Sequence, residues 1–76
     1  MEQKYTNLSG HSGVQSYEIG ADHIWVRFRH GGSYRYSKLQ LSTDMFKMMT
    51  KLAIEGCGLN TFINKFAKKY YDQKRA

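Results

Sequence analysis

The chain has 76 residues, 41% of them hydrophobic and 24% charged, and its 12 Lys and Arg against six Asp and Glu give a formal net charge of +6. A folded chain of this size is one domain that buries only roughly 60% of the surface its unfolded form exposes, which excludes a two-domain enzyme or a deep private pocket. No apolar run approaches the ~18 residues of a membrane-spanning helix, Met1-Glu2-Gln3-Lys4 lacks the pattern of a secretion signal, and the single cysteine, Cys57, can form no disulfide within the chain, so the expectation is a cytoplasmic protein with no membrane partner.

Residues 1–12 have no hydrophobic period and read as a flexible N-terminal arm, followed by a single domain over 13–71 and a basic tail over 72–76. Val14 to Ile19 reads as a strand of imperfect alternation, closed by the turn residues Gly20-Ala21-Asp22. His23 to Arg29 alternates cleanly, with Ile24, Val26 and Phe28 on one face and Trp25, Arg27 and Arg29 on the other. Gly31-Gly32 supplies the positive φ that a tight hairpin needs, and Ser33 to Leu39 returns as the third strand. Ser42 is a good N-cap for a helix with Asp44 in its first turn; Leu41 and Phe46 sit at staple spacing, Met45, Met48, Met49 and Leu52 form its apolar stripe, and Gly56 ends it. A last helix carries the stripe Leu59, Phe62, Ile63, Phe66, Ala67 and Tyr70, with Asn64, Lys65, Lys68 and Lys69 on its outer side. The predicted fold is α+β: a three-stranded antiparallel meander followed by two helices packed on one sheet face.

The charge is segregated. Residues 23–41 hold Arg27, Arg29, Arg35 and Lys38 without an acid, or +4, and residues 58–76 hold Lys65, Lys68, Lys69, Lys74 and Arg75 against Asp72, again +4. Such segregation points to an anionic partner. With a two-residue Gly31-Gly32 loop, Arg29 pairs with Tyr34 and Arg27 with Tyr36, which stands both tyrosines beside Trp25 on the uncovered face. Rings interleaved with guanidinium groups make a platform on which bases stack while phosphates are neutralised. A three-residue loop would instead turn both tyrosines into the core, since an odd slip flips every side chain. The first register is the expectation, with Trp25, Arg27, Arg29, Tyr34, Arg35 and Tyr36 as ligand-binding residues and Lys65, Lys68 and Lys69 as a phosphate-contacting patch.

His11, His23, His30 and Cys57 have no metal-ligand spacing, so no metal and no cofactor are expected. Nothing in the sequence matches a nucleophile elbow, a phosphate-binding glycine loop before a helix or a carboxylate pair, and the expected activity is non-enzymatic.

Tyr17, Val26-Arg27-Phe28, Gly31-Gly32 and Tyr34-Arg35-Tyr36 together resemble the KTSC domain, a short module found at the C-terminus of some lysyl-tRNA synthetases and as small stand-alone proteins. Tyr34 and Tyr36 match its central Tyr-x-Tyr, and Leu59-Asn60-Thr61-Phe62-Ile63 is similar to its later aromatic-Asn-x-x-Ile segment, with Leu59 in place of the aromatic residue. The match runs over roughly residues 12–71. The family usually has a proline soon after the tyrosines, where this chain has Leu39-Gln40-Leu41. The resemblance implies strands followed by helices and an RNA-binding, non-enzymatic module.

Two versions of a base-and-phosphate ligand follow. One is RNA lying across the sheet. The other is a small nucleotide, such as a cyclic dinucleotide, held between the protomers of a homo-oligomer, because so small a monomer encloses a ligand poorly. A protein of the second kind would sequester or sense its ligand, as a phage sponge protein does. The alternative is a protein-interaction module that uses the exposed aromatic and basic sheet face, a composition over-represented at interface hot spots.

Overall fold

The computed structural model describes residues 2–8, 10 and 12–75. Met1, Ser9, His11 and Ala76 fall outside the described residues, and with them the expectation made for His11.

The sheet has five strands rather than three. In chain order they are β1 (Gln3–Lys4), β2 (Val14–Ile19), β3 (His23–Phe28), β4 (Ser33–Ser37) and β5 (Tyr71–Arg75), and they lie side by side in that same order. Every neighbouring pair is antiparallel. The predicted three-stranded meander is therefore only the centre of the sheet, although the α+β class is compatible with it. The two added strands lie at the edges, and their sequences explain why they read as something else. The short β1 is too brief to show alternation, and β5, Tyr-Asp-Gln-Lys-Arg, is polar throughout and exposed at every position. Charged edge strands of this kind discourage pairing with other chains.

A bulge between Val14 and Ser16 accounts for the imperfect alternation of β2. The extra residue, Gln15, lets Val14 pair with Phe28 and Tyr17 with Val26, so both face the core side.

Two helical segments lie between β4 and β5. Helix α1 spans Thr43–Glu55 and starts as its sequence predicts, the Ser42 hydroxyl accepting a hydrogen bond from the Met45 N–H at 3.1 Å. It stops at Gly56, whose φ of 81° is left-handed and whose N–H donates to the Leu52 carbonyl. The buried stripe of α1 is Phe46, Met49 and Ala53, rotated from the predicted methionine stripe so that Met48 stays exposed. Helix α2, Leu59–Phe62, continues into a π-helical turn over Ile63–Ala67, burying Leu59, Ile63 and Ala67. The helical period breaks there, which leaves Phe66 and Tyr70 exposed.

One core joins the two layers. Val14, Ile24, Val26 and Tyr36 from the sheet cluster with Phe46, Met49, Leu59 and Ile63 from the helices. Tyr5 belongs to the same cluster at 2% exposure, although it lies within the stretch expected to be a loose arm. Its N–H donates to the Gln15 carbonyl, and its hydroxyl accepts a hydrogen bond from the Leu59 N–H at 3.3 Å. No helix among the described residues is long and apolar enough to cross a membrane.

Candidate functional site

The hairpin register decides which side chains can meet a ligand. The Phe28 N–H donates to the Gly32 carbonyl at 3.0 Å, which leaves Arg29-His30-Gly31 as a three-residue loop. Gly31 and Gly32 both take positive φ, 103° and 84°, as a tight loop there requires. Arg27 then pairs with Ser33, Val26 with Tyr34 and Ile24 with Tyr36. This register differs from the two-residue-loop expectation by an odd number of residues, so both tyrosines turn to the core side. The physical reason is burial. The alternative would hold two large rings in water and deprive a small core of Tyr36, which is only 2% exposed.

The nine predicted site residues therefore divide between places. Trp25, Arg27 and Arg35 share the outer sheet face, where Trp25 pairs with Arg35 and with Glu18. Each of the three is already engaged. Arg75 lies over the Trp25 ring with its guanidinium carbon 4.1 Å from the centroid. Arg27 is 3.5 Å from the Glu2 carboxylate, which also accepts a short hydrogen bond from the Ser16 hydroxyl. These two partners, Ser16 before Arg27, hold the Glu2 carboxyl below its ordinary range. Arg35 Nε is 3.4 Å from Asp72 Oδ1, yet the angle is poor enough that this buried N–H gains no true hydrogen bond. A cavity of about 220 Å³ opens between Glu2, Glu18, Trp25, Arg27 and Arg75. Arg29 stands apart in the hairpin loop, exposed.

Tyr34 and Tyr36 lie on the other side of the sheet and form part of a larger groove, a cavity of about 380 Å³ between the sheet and the second helix. The sheet wall consists of Phe28, His30, Tyr34, Tyr36 and Tyr71. The helix wall consists of Asn60, Ile63, Asn64 and Lys68. Lys68 thus joins the two tyrosines, whereas Lys65 and Lys69 are exposed outside the groove lining. No carboxylate lines the groove.

The aromatic wall is a chain of edge-to-face contacts. Phe28 and Tyr34 meet at 5.6 Å and 78°, and Tyr34 and Tyr71 at 4.8 Å and 80°. Lys74, paired with Tyr34 across the β4–β5 ladder, places its ammonium 5.3 Å from the Tyr34 ring. Burial pushes the Tyr36 hydroxyl well above the usual tyrosine range, with Tyr34 and Tyr71 acting in the same direction. It therefore keeps its proton and remains a donor. It finds no hydrogen-bond partner among the described residues.

His30, Asn60, Asn64 and Tyr71 are groove residues that sequence reasoning did not select. One signal for them is local: Asn60, Asn64 and Lys68 recur every fourth residue, the spacing of one helix face. Nothing local brings that row to the hairpin. Among the described residues, no three His, Cys, Asp or Glu side chains group to hold a metal ion.

No protein-family model matches the chain, and no curated protein or solved structure matches it.

Proposed function

We propose that this protein is a non-catalytic binding module for a ligand that carries both a base and a phosphate, either RNA or a small nucleotide, and that the ligand sits in the groove between sheet and second helix. One observation carries this: tyrosine walls, a row of side-chain amides and the cations of Lys68 and His30 line one space that contains no carboxylate. Rings take the base by stacking, amides satisfy its edge, and cations take the phosphate. The outer sheet face is the weaker site, since Arg27, Arg35 and Trp25 already have charged partners there. The resemblance of Tyr34-Arg35-Tyr36 to the KTSC module points to the same ligand class. A cyclic dinucleotide held between two copies, with the protein acting as a sponge, is the small-nucleotide form of this reading.

The test is a titration followed by two-dimensional NMR, with a short single-stranded RNA and linear and cyclic dinucleotides, each at low and moderate salt. The side-chain amides of Asn60 and Asn64 should move, while the Trp25 indole N–H, on the far face, should not. Salt-sensitive binding would mark RNA with several phosphate contacts, and salt-tolerant binding a small nucleotide. Silence from the whole panel would overturn the proposal. Movement of Trp25 alone would move the site to the outer face, where the cavity beside Trp25 favours the protein-interaction reading.

A further inference from the structure

Tyr36 presents a contradiction that the fold alone does not resolve. Its side chain is 2% exposed, yet its hydroxyl has no partner among the described residues. Buried hydroxyls almost always have a partner, and phenylalanine would fill the same space without the penalty of an unmet polar group. The side chain forms part of the groove wall, so a molecule in the groove is what the hydroxyl can reach.

The opposite wall narrows the kind of molecule. Asn60 and Asn64 offer both donors and acceptors, Lys68 offers a positive charge, and no carboxylate is present to attract a cation. The Phe28–Tyr34–Tyr71 chain provides aromatic surface for a flat ring. The size narrows it further. About 380 Å³ lies near the lower end of the ~300–1,000 Å³ range of small-molecule sites. This is room for one base and its phosphate, not for two stacked bases.

We infer that the groove takes a single nucleotide unit, its base edge hydrogen-bonded by the Tyr36 hydroxyl and its phosphate held by Lys68. The inference rests on the proposed base-and-phosphate function and deepens it. A free nucleoside monophosphate and one splayed nucleotide of an RNA strand present the same chemistry. A cyclic dinucleotide would insert one base here and need a second copy of the chain for the other.

The experiment is calorimetric titration of the wild type, Tyr36→Phe, Asn64→Ala and Lys68→Ala. The probes are the four common nucleoside monophosphates, the matching nucleosides, a short single-stranded RNA and inorganic phosphate, and each variant is also melted. At least one monophosphate should bind, and Tyr36→Phe should weaken it about threefold to tenfold while leaving the melting temperature equal or higher. Asn64→Ala should weaken it similarly. Lys68→Ala should weaken the monophosphate and not the nucleoside. Added binding of RNA would identify the strand as a source of the unit; monophosphate without RNA would identify the free nucleotide. RNA binding with no monophosphate binding would overturn the single-unit inference and leave the nucleic-acid function standing. Equal affinity of wild type and Tyr36→Phe, a lowered melting temperature for Tyr36→Phe, or inorganic phosphate binding as tightly as the nucleotide would each overturn it as well. Silence from every probe would remove both the inference and the function on which it rests.

Discussion

Arg75 covers Trp25 from the neighbouring edge of the sheet, its guanidinium carbon 4.1 Å from the ring centroid. This contact reaches from β5 over β4 to β3, because Arg75 pairs with Ser33 and Ser33 with Arg27. Together with Asp72 against Arg35 it fastens an otherwise exposed strand to the outer face. Arg75→Ala should therefore cost about 0.5–1 kcal/mol, the worth of an exposed cation–π contact. In a domain of this size that lowers the melting temperature by roughly 2–8 °C. Trp25 emission should shift to the red as its ring meets water. Unchanged melting and emission would mean that Arg75 does not lie on Trp25 in solution.

Tyr5 fixes the other edge. Its ring lies in the core and its hydroxyl accepts from the Leu59 N–H at the start of α2. Tyr5→Ala should cost about 3–5 kcal/mol, as for other large aromatic deletions from cores. A chain of this length has only ~4–11 kcal/mol in total, so the variant should be close to unfolding. Tyr5→Phe removes only the hydrogen bond and should cost ~0.5–1.5 kcal/mol. Urea unfolding of both variants would separate the ring from the hydroxyl, and a wild-type midpoint for Tyr5→Ala would refute its place in the core.

How much of this was legible in the sequence depends on how local each signal is. Helix α1 could be read from Ser42, Asp44 and Gly56, which act within one turn of the helix ends. The faces of β3 could be read from Ile24, Trp25 and Val26. The hairpin register could not, because Gly31-Gly32 marks a turn without saying that Arg29 and His30 enter the loop with it. That choice is made by Tyr36, which finds its place only when the helices cover the sheet. Strand β5 was also hidden. Tyr71 to Arg75 continue the lysine-rich run of the last helix, and their strand geometry comes from pairing with β4. The predicted platform of tyrosines with Trp25 therefore separated into two faces, and Lys68 alone of the three helix lysines met the tyrosines.

Gly56 ties the end of α1 to the N-terminal segment. Its φ is +81°, and a Cβ built on it would lie 2.6 Å from the Thr6 Cβ, closer than atoms tolerate. Its carbonyl also accepts from the Leu8 N–H at 2.7 Å. Gly56→Ala should cost at least ~1–2 kcal/mol from the left-handed backbone alone, and the clash adds to that. Combining it with Thr6→Gly should recover the part due to the clash and leave the backbone part. Thermal unfolding of the single and double variants would test this, and a Gly56→Ala protein as stable as wild type would exclude the left-handed cap.

The raised Tyr36 ionisation has a consequence for alkaline stability. Its folded value lies above the ordinary tyrosine value of 10.0, with burial the first cause. Below about pH 10 both the folded and the unfolded chain hold this proton, and the contribution to stability is fully present. Above it the unfolded chain releases the proton while the folded chain keeps it, so stability falls as pH rises towards the folded value. Tyr36→Phe removes that loss. Tyr5, also raised by burial, keeps a smaller slope of the same sign in the variant. Urea midpoints from about pH 8 to about pH 11 should thus run parallel for the two proteins at first and diverge above about pH 10, with the wild type falling faster. Curves that stay parallel throughout would show that the Tyr36 hydroxyl is in contact with water, which removes the reason to assign it to a ligand.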